Sequence, residues 1–350
     1  MEITLINYLS ELIHNPILLI VSVFVIGLMI VNGMTDAPNA IATCISTRAI
    51  KPKAAVIMAS IFDFMGVLIM TLVSSKVAST MTNLVDFGDD NRISLLALCA
   101  GIVSAILWAL LTKQFGIPSS ESHALIAGIT GAAIAISKNL SAVNFEEWKK
   151  VLYGLIISSV LGFALGFFIS KLVKIICKKM DRRKTNRFFK KTQVGSGALM
   201  AFMHGAQDGQ KFMGIFLLGI LLSSNASEAS TELIPMWLII LCSFAMGLGV
   251  LTGGYKIIKT VGIKMVKMEP YEGTCADIAG IGCLLLSSFT GIPVSTTHTK
   301  TTAIMGVGAS KRLSNVNWSI AKSMVVSWFL VFPGCGLLGF IITQLFLLIM

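Results

Sequence analysis

Four short polar stretches of this chain carry residue types that bind small ions, and they come as two pairs. Asn32-Gly33-Met34-Thr35-Asp36-Ala37-Pro38-Asn39 is echoed 172 residues later by His204-Gly205-Ala206-Gln207-Asp208-Gly209-Gln210-Lys211. Gly116-Ile117-Pro118-Ser119-Ser120-Glu121-Ser122-His123 returns 175 residues later as Gly291-Ile292-Pro293-Val294-Ser295-Thr296-Thr297-His298. Carboxylates, amides and hydroxyls are hard oxygen ligands suited to small hard cations. Asp36 and Asp208 each follow a glycine three residues back, in a stretch expected to break the helix, and Thr35, Asn39, Thr43 and Gln207 stand close enough to add oxygens. Na+ at Asp36 and Asp208 is the candidate metal. The Gly-Pro pair suits the opposite charge. Pro118 and Pro293 can open a helix, because proline is tolerated at the first helical position. Ser119, Ser120 and Ser122, or Ser295, Thr296 and Thr297, then fall in its first turn. Free N–H groups, hydroxyls and a positive dipole end make such a start an anion site. The plain alternative is two capped helices with Gly-Pro turns, and the duplication weighs against it.

Other polar residues stand alone. Asp63 and Asp277 are single acids in apolar runs. They are candidates for the cation path, or simply helix-packing hydrogen bonds. His123 and His298 lie one turn into the tip helices, placed for interhelical hydrogen bonding or a proton relay. Lys211 stands where the first copy has Asn39, and could pair with Asp208, attract an anion or snorkel; Lys300 is equally open.

The elements that must position these groups are membrane helices. Of 350 residues, 55% are hydrophobic and 13% charged, and mean hydropathy is +0.83. A soluble domain is nearer a quarter charged. Ten apolar segments are predicted near 16–33, 54–75, 93–112, 117–137, 151–176, 195–222, 234–253, 275–290, 294–310 and 319–349. All should be helices, since an open strand cannot satisfy its backbone in lipid. The 275–290 segment looks short for a full span, which favours a hairpin there. Acidic Glu2 and Glu11 precede the first run, unlike a secretory signal. Seven cysteines without a CxxC pair read as packing residues. No Walker lysine motif, nucleophile elbow or kinase signature occurs, so neither an enzyme nor a resident cofactor is expected.

The net charge of +11 is concentrated: residues 171–191 hold ten Lys/Arg against Asp181. Following an apolar segment, this reads as a cytoplasmic loop and not as a nucleic-acid site; anionic lipid is a candidate contact. The loops at Arg48–Lys53, Lys256–Lys267 and Lys311–Arg312 are also basic. Those at Asp86–Arg92, Glu146–Lys150 and Glu228–Glu232 are not. This alternation puts both termini outside and makes 177–192 an internal linker between a first repeat, 1–176, and a second, inverted repeat, 193–350. The expected fold is an all-α polytopic membrane protein of two inverted-topology repeats. Each has about five helical segments and a Gly-Pro-tipped helical hairpin. Matched, interrupted apolar segments in two halves point to the binding site of a secondary transporter.

Gly33-x-x-Asp36-Ala37-Pro38-Asn39-Ala40, the His204–Lys211 stretch and Ile292-Pro293-Val294-Ser295-Thr296-Thr297-His298 resemble signatures of the inorganic phosphate transporter (PiT) family. The resemblance covers nearly the whole chain. It implies cation-coupled uptake of inorganic phosphate across the cytoplasmic membrane, with Na+ or H+ as co-transported ion, and a homodimer. It implies that Ser119, Ser120, Ser295, Thr296, Asn39 and Lys211 contact phosphate. Asp36, Asp208, Asn39, Gln207, Thr35, Asp63 and Asp277 then serve the coupling cation. Thr35 and Gln207 stand where the family usually has Asn, and Asp63 and Asp277 where glutamates are expected. The expected mechanism is alternating access. Sulfate symport on the same fold, a passive anion channel and a non-transporting receptor are the alternatives.

Overall fold

The computed structural model describes residues 3–115, 119–223, 234–253 and 258–349. The chain folds into helices α1 (Leu5–His14), α2 (Pro16–Thr35), α3 (Ala37–Ser46), α4 (Pro52–Val73), α5 (Lys76–Thr82), α6 (Asn91–Phe115), α7 (Glu121–Ser137) and α8 (Phe145–Ile176). There follow α9 (Arg182–His204), α10 (Gln210–Ser223), α11 (Met236–Leu251), α12 (Pro270–Thr290), α13 (Thr296–Lys311) and α14 (Trp318–Ile349). Among the described residues, six stretches are long and apolar enough to cross a membrane: Pro16–Ser46, Pro52–Val73, Asn91–Thr112, Phe145–Lys179, Pro270–Thr290 and Trp318–Ile349. Their outward faces carry large apolar side chains, such as Ile156, Val160 and Phe168 on α8 and Phe329 and Leu337 on α14. A chain that is apolar on its core face and on its outer face is built for lipid. The protein is a multi-pass integral membrane protein.

The order of elements in 16–176 recurs in 182–349. An interrupted helix (α2–α3; α9–α10) leads to a single helix (α4; α11), a long helix (α6; α12), a buried helix (α7; α13) and a last 32-residue helix (α8; α14). Packing crosses between the two sets. α2 lies on α11 and α9 on α4; α7 lies on α14 and α13 on α8. An isolated β-bridge ties each set near its last connection, Val85 to Val143 and Val266 to Val316. Two glycines show the same contact twice. A Cβ on Gly33 would meet the Met246 carbonyl oxygen of α11 at 2.6 Å, and one on Gly205 would strike the Asp63 carbonyl of α4. Only glycine lets these backbones approach so closely.

Several expectations change. The basic stretch 177–192 is largely helical: a 3-10 turn at Cys177–Lys179 precedes α9, whose start is capped by the Asp181 side chain accepting from Lys184 N. The segment expected at 275–290 starts at Pro270, where Glu269 and Glu272 form a capping box. Its 21 residues span about 31 Å at 1.5 Å per residue, enough for a crossing. α1, α3 and α5, of 10, 10 and 7 residues, lie outside the ten predicted segments, because each is too short to stand out as an apolar run of spanning length. Of the two tips, Gly116, Ile117 and Pro118 lie outside the described residues, as do Glu2, Glu228, Glu232 and Lys256.

Candidate ion-binding site

The site is assembled where two helix interruptions meet two helix starts. The first interruption is a break at Asp36, enforced by Pro38, which lacks the N–H needed to continue the ladder. The second is not the break expected around Asp208. Residues Gly205–Gly209 form one π-helical turn that carries α9 into α10 without unwinding. A π-bulge widens the helix and is often found at functional sites. The helix starts also differ from the proline-first expectation. Ser120 and Ser295 are the N-caps, accepting from His123 N at 3.3 Å and His298 N at 3.2 Å. Pro293 therefore lies outside α13. Gly291, at φ 74°, ends α12 in the left-handed region and turns the chain toward it.

Around Asp36 the ligating atoms are oxygens and amides. Thr297 Oγ1 donates to Asp36 Oδ1 at 2.6 Å, and Asn39 Nδ2 donates to Thr297 Oγ1 at 2.9 Å. Asn32 Nδ2 bridges Asp36 Oδ2 at 3.3 Å and Glu121 Oε2 at 3.1 Å. The Asp36 and Glu121 carboxyls, both buried, are thus joined through one amide. Two buried carboxyls so close in low dielectric favour a shared proton or a nearby cation. Asn32 Oδ1 and Asn39 Oδ1 are buried without a hydrogen-bond partner among the described residues.

Around Asp208 the partners include two bases. Lys211 Nζ bonds Asp208 Oδ1 at 2.6 Å, Ser122 Oγ at 3.1 Å and the Val294 carbonyl at 2.5 Å. Ser122 Oγ and Thr296 Oγ1 donate to the Asp208 carboxylate at 3.2 and 3.0 Å. His204 Nε2 stands 3.4 Å from Asp208 Oδ2, and its Nδ1 shares a 2.6 Å hydrogen bond with Asp63. Among the described residues, no group of three His, Cys, Asp or Glu side chains is arranged to hold a metal ion. Neutral oxygens would have to complete any metal cation's shell, which favours a hard monovalent ion over a soft one.

These contacts repeat under the sequence offsets. Thr297 of the second set holds Asp36 of the first, and Ser122 of the first holds Asp208 of the second. Glu121 is linked to Asp36 through the Asn32 amide where Thr296 reaches Asp208 directly, and Asn39 reaches Thr297 as Lys211 reaches Ser122. The helix starts themselves touch: the His123 and His298 rings lie 4.8 Å apart.

The sequence-predicted residues divide accordingly. Asp36, Asn39, Asp208, Lys211, Thr296 and Asp63 converge here. Ser119 bonds Thr112 Oγ1 at 3.0 Å, and the Ser120 and Ser295 hydroxyls cap their helices while keeping a proton to donate. Thr35 Oγ1 turns back to the Val31 carbonyl at 2.5 Å. Gln207 donates to Ser288 Oγ at 2.9 Å, on α12. Thr296 donates to Asp208, and the three ammonium protons of Lys211 are matched by three oxygens, so neither is turned toward an anion in this conformation. His123 and His298 do not make the interhelical hydrogen bonds expected of them. Their ring nitrogens have no partner among the described residues, and the rings pack on Phe332 and Trp328. Asp277 and Thr43 belong to another cluster, where Asp277 pairs with Lys300 and accepts from Thr43 Oγ1 at 2.9 Å and Ser196 Oγ at 2.7 Å. Sequence reasoning missed Asn32, His204 and Glu121 as site residues. The same offsets could have found them, since Asn32 and His204 occupy equivalent positions, as do Glu121 and Thr296.

Chemically, two helix starts with free first-turn N–H groups lie against a carboxyl–amide nest on one side and a carboxylate with two bases on the other. Residues 32–339 match the phosphate transporter family. The chain is 40% identical over 320 residues to a probable low-affinity inorganic phosphate transporter of Bacillus subtilis (strain 168), covering 90% of this chain and 94% of that one. It is 37% identical over 309 residues to the protein of the same description in Rhizobium meliloti (strain 1021), covering 88% and 90%. Its fold matches a solved structure, the sodium-dependent phosphate transporter, with a TM-score of 0.87 over 96% of this chain and 100% of that one, at 22% identity.

Proposed function

Because the chain belongs to the phosphate transporter family, we propose that it carries inorganic phosphate across the cytoplasmic membrane together with a cation, by alternating access. It is a transporter and not an enzyme. The observation that carries the reading is the pair of facing helix starts at Ser120 and Ser295, each tied to the other set's aspartate. A helix N-terminus presents about +0.5 charge and unpaired donors, so two of them offset about one negative charge of an oxyanion. Ser119, Ser120 and Ser295 supply hydroxyl protons, and Thr296 and Lys211 turn to the anion when it enters. The co-transported cation offsets the rest at Asp36 and Asp208.

Na+ is the first candidate. The solved relative of the same fold is sodium-dependent by name, and the Asp36 nest offers the neutral oxygens of Asn32 and Asn39. H+ is the second, favoured by the two buried carboxyls that Asn32 bridges, Asp36 and Glu121, and by the Asp63–His204–Asp208 row. The two sets act as inverted repeats, 1–176 and 193–350, rocking about the site. The basic residues of 177–192 lie in the cytoplasm and both termini outside, as the loop charges favour. A homodimer in lipid is the proposed assembly.

Purified protein in liposomes should take up labelled phosphate when a Na+ or pH gradient is imposed. Sulfate that competes as well as phosphate would reassign the substrate. Uptake with no dependence on either gradient would remove cation coupling.

A further inference from the structure

Superposing the two copies through their offsets exposes a substitution of charge for ligand. On the Asp36 side the two neighbours are Asn32 and Asn39; in their places on the Asp208 side stand His204 and Lys211. Lys211 is completely buried, and its ammonium sits among three oxygens: a carboxylate, a hydroxyl and a backbone carbonyl. That is a coordination environment of the kind a hard monovalent cation takes. Asn39 is too short and uncharged to fill the same place beside Asp36. Its Oδ1 and that of Asn32 have no hydrogen-bond partner among the described residues, at 2% and 0% exposure. Among the described residues, no Lys, Arg or His nitrogen lies within ion-pair distance of Asp36 or Glu121. Buried polar atoms are almost always satisfied, so unpaired oxygens next to two carboxyls mark a place for a guest. The Asp208 side has its positive charge built in.

We propose that the Lys211 ammonium is a tethered cation that permanently fills the Asp208 half of a two-fold site. Only the Asp36–Glu121 half, completed by Asn32 Oδ1 and Asn39 Oδ1, then takes a mobile cation. This rests on the reading of the protein as a cation-coupled transporter and sets its stoichiometry: one cation fewer per transport cycle than two equal halves would carry. It assigns the asymmetry to one residue. The chain gains a fixed positive charge beside the anion and gives up one ion's share of the driving force.

The test is Lys211→Asn, which gives the second half the residue of the first. Equilibrium binding of labelled Na+ to purified, folded protein in saturating phosphate should show one more bound ion in the variant than in the wild type. The added ion should vanish in Lys211→Asn with Asp208→Asn. Where uptake is retained, its dependence on cation concentration should steepen by one ion. Equal ion counts in wild type and variant overturn the proposal. Asn39→Lys provides the reciprocal test and should remove the ion bound at Asp36; retention of that ion also overturns it. A wild type that shows no coupled phosphate uptake defeats the functional reading, while the binding counts still decide the role of Lys211.

Discussion

Asp36→Asn and Asp208→Asn remove the same group from equivalent positions, yet their effects on stability should diverge. Asp208 holds Lys211 at 2.6 Å, and both side chains are fully buried. Removing one partner of a buried ion pair leaves an uncompensated charge and costs about 3–5 kcal/mol. Asp36 has no such partner. It accepts from Thr297 and from Asn32, which also donates to Glu121. An asparagine there can still accept from Thr297 but sets its amide N–H against Asn32 Nδ2, which keeps Glu121 as its acceptor; stability should fall by about 1–2 kcal/mol, less than at Asp208. The assay is reversible denaturant unfolding in mixed micelles followed by tryptophan fluorescence. Replacing Lys211 by Met in the Asp208→Asn background should recover most of the loss, because the stranded charge is gone and the volume is kept. Equal destabilisation by the two single variants, or no recovery in the double variant, would refute the argument. Both single variants should nevertheless lose gradient-driven uptake.

Three further outcomes follow from the geometry. Thr297→Val deletes a hydroxyl that donates to Asp36 and accepts from Asn39; a hydrogen bond to a charged group contributes about 1.5–3 kcal/mol, so a cation titration of uptake should show affinity lower by about ten-fold or more. Gly205→Ala drives a methyl into the Asp63 carbonyl and should destabilise by about 1–3 kcal/mol, while Gly195→Ala, with nothing within 4 Å, should gain about 0.5–1 kcal/mol; thermal survival of folded protein in detergent separates the two. His298→Phe keeps the stack on Trp328 and removes nitrogens that have no partner, so the pH profile of uptake should be unchanged, and a shifted profile would restore a proton relay.

Most of the helical architecture is legible in the sequence, because apolar length and loop charge are set by the bilayer and owe little to tertiary detail. The repeat too is visible, since the two motif pairs recur at nearly equal offsets, 172 and 175 residues. What escaped is local. Proline at 293 suggests a helix start, but Ser295 competes better as a cap and moves the start three residues on. The glycines around Asp208 suggest a break, yet the widened turn keeps the helix continuous and closes Gly205 onto α4. Glu121 reads as a first-turn acid favoured by the helix dipole; only the packed structure brings it to Asp36. Asp277 falls outside the site because Lys300, one helix away in sequence, captures it. Such pairings depend on which faces of α3, α9, α12 and α13 meet, and hydropathy does not encode them.

The most direct measurement is the steady-state ratio of internal to external phosphate in sealed proteoliposomes, with the Na+ and pH gradients imposed one at a time and the membrane potential clamped. Coupling through the carboxyls at Asp36 and Asp208 predicts a ratio that exceeds the passive value under one gradient and collapses when an ionophore dissipates it. A ratio that stays at the passive value under both gradients, in protein that still exchanges phosphate, would contradict coupled transport and leave a channel.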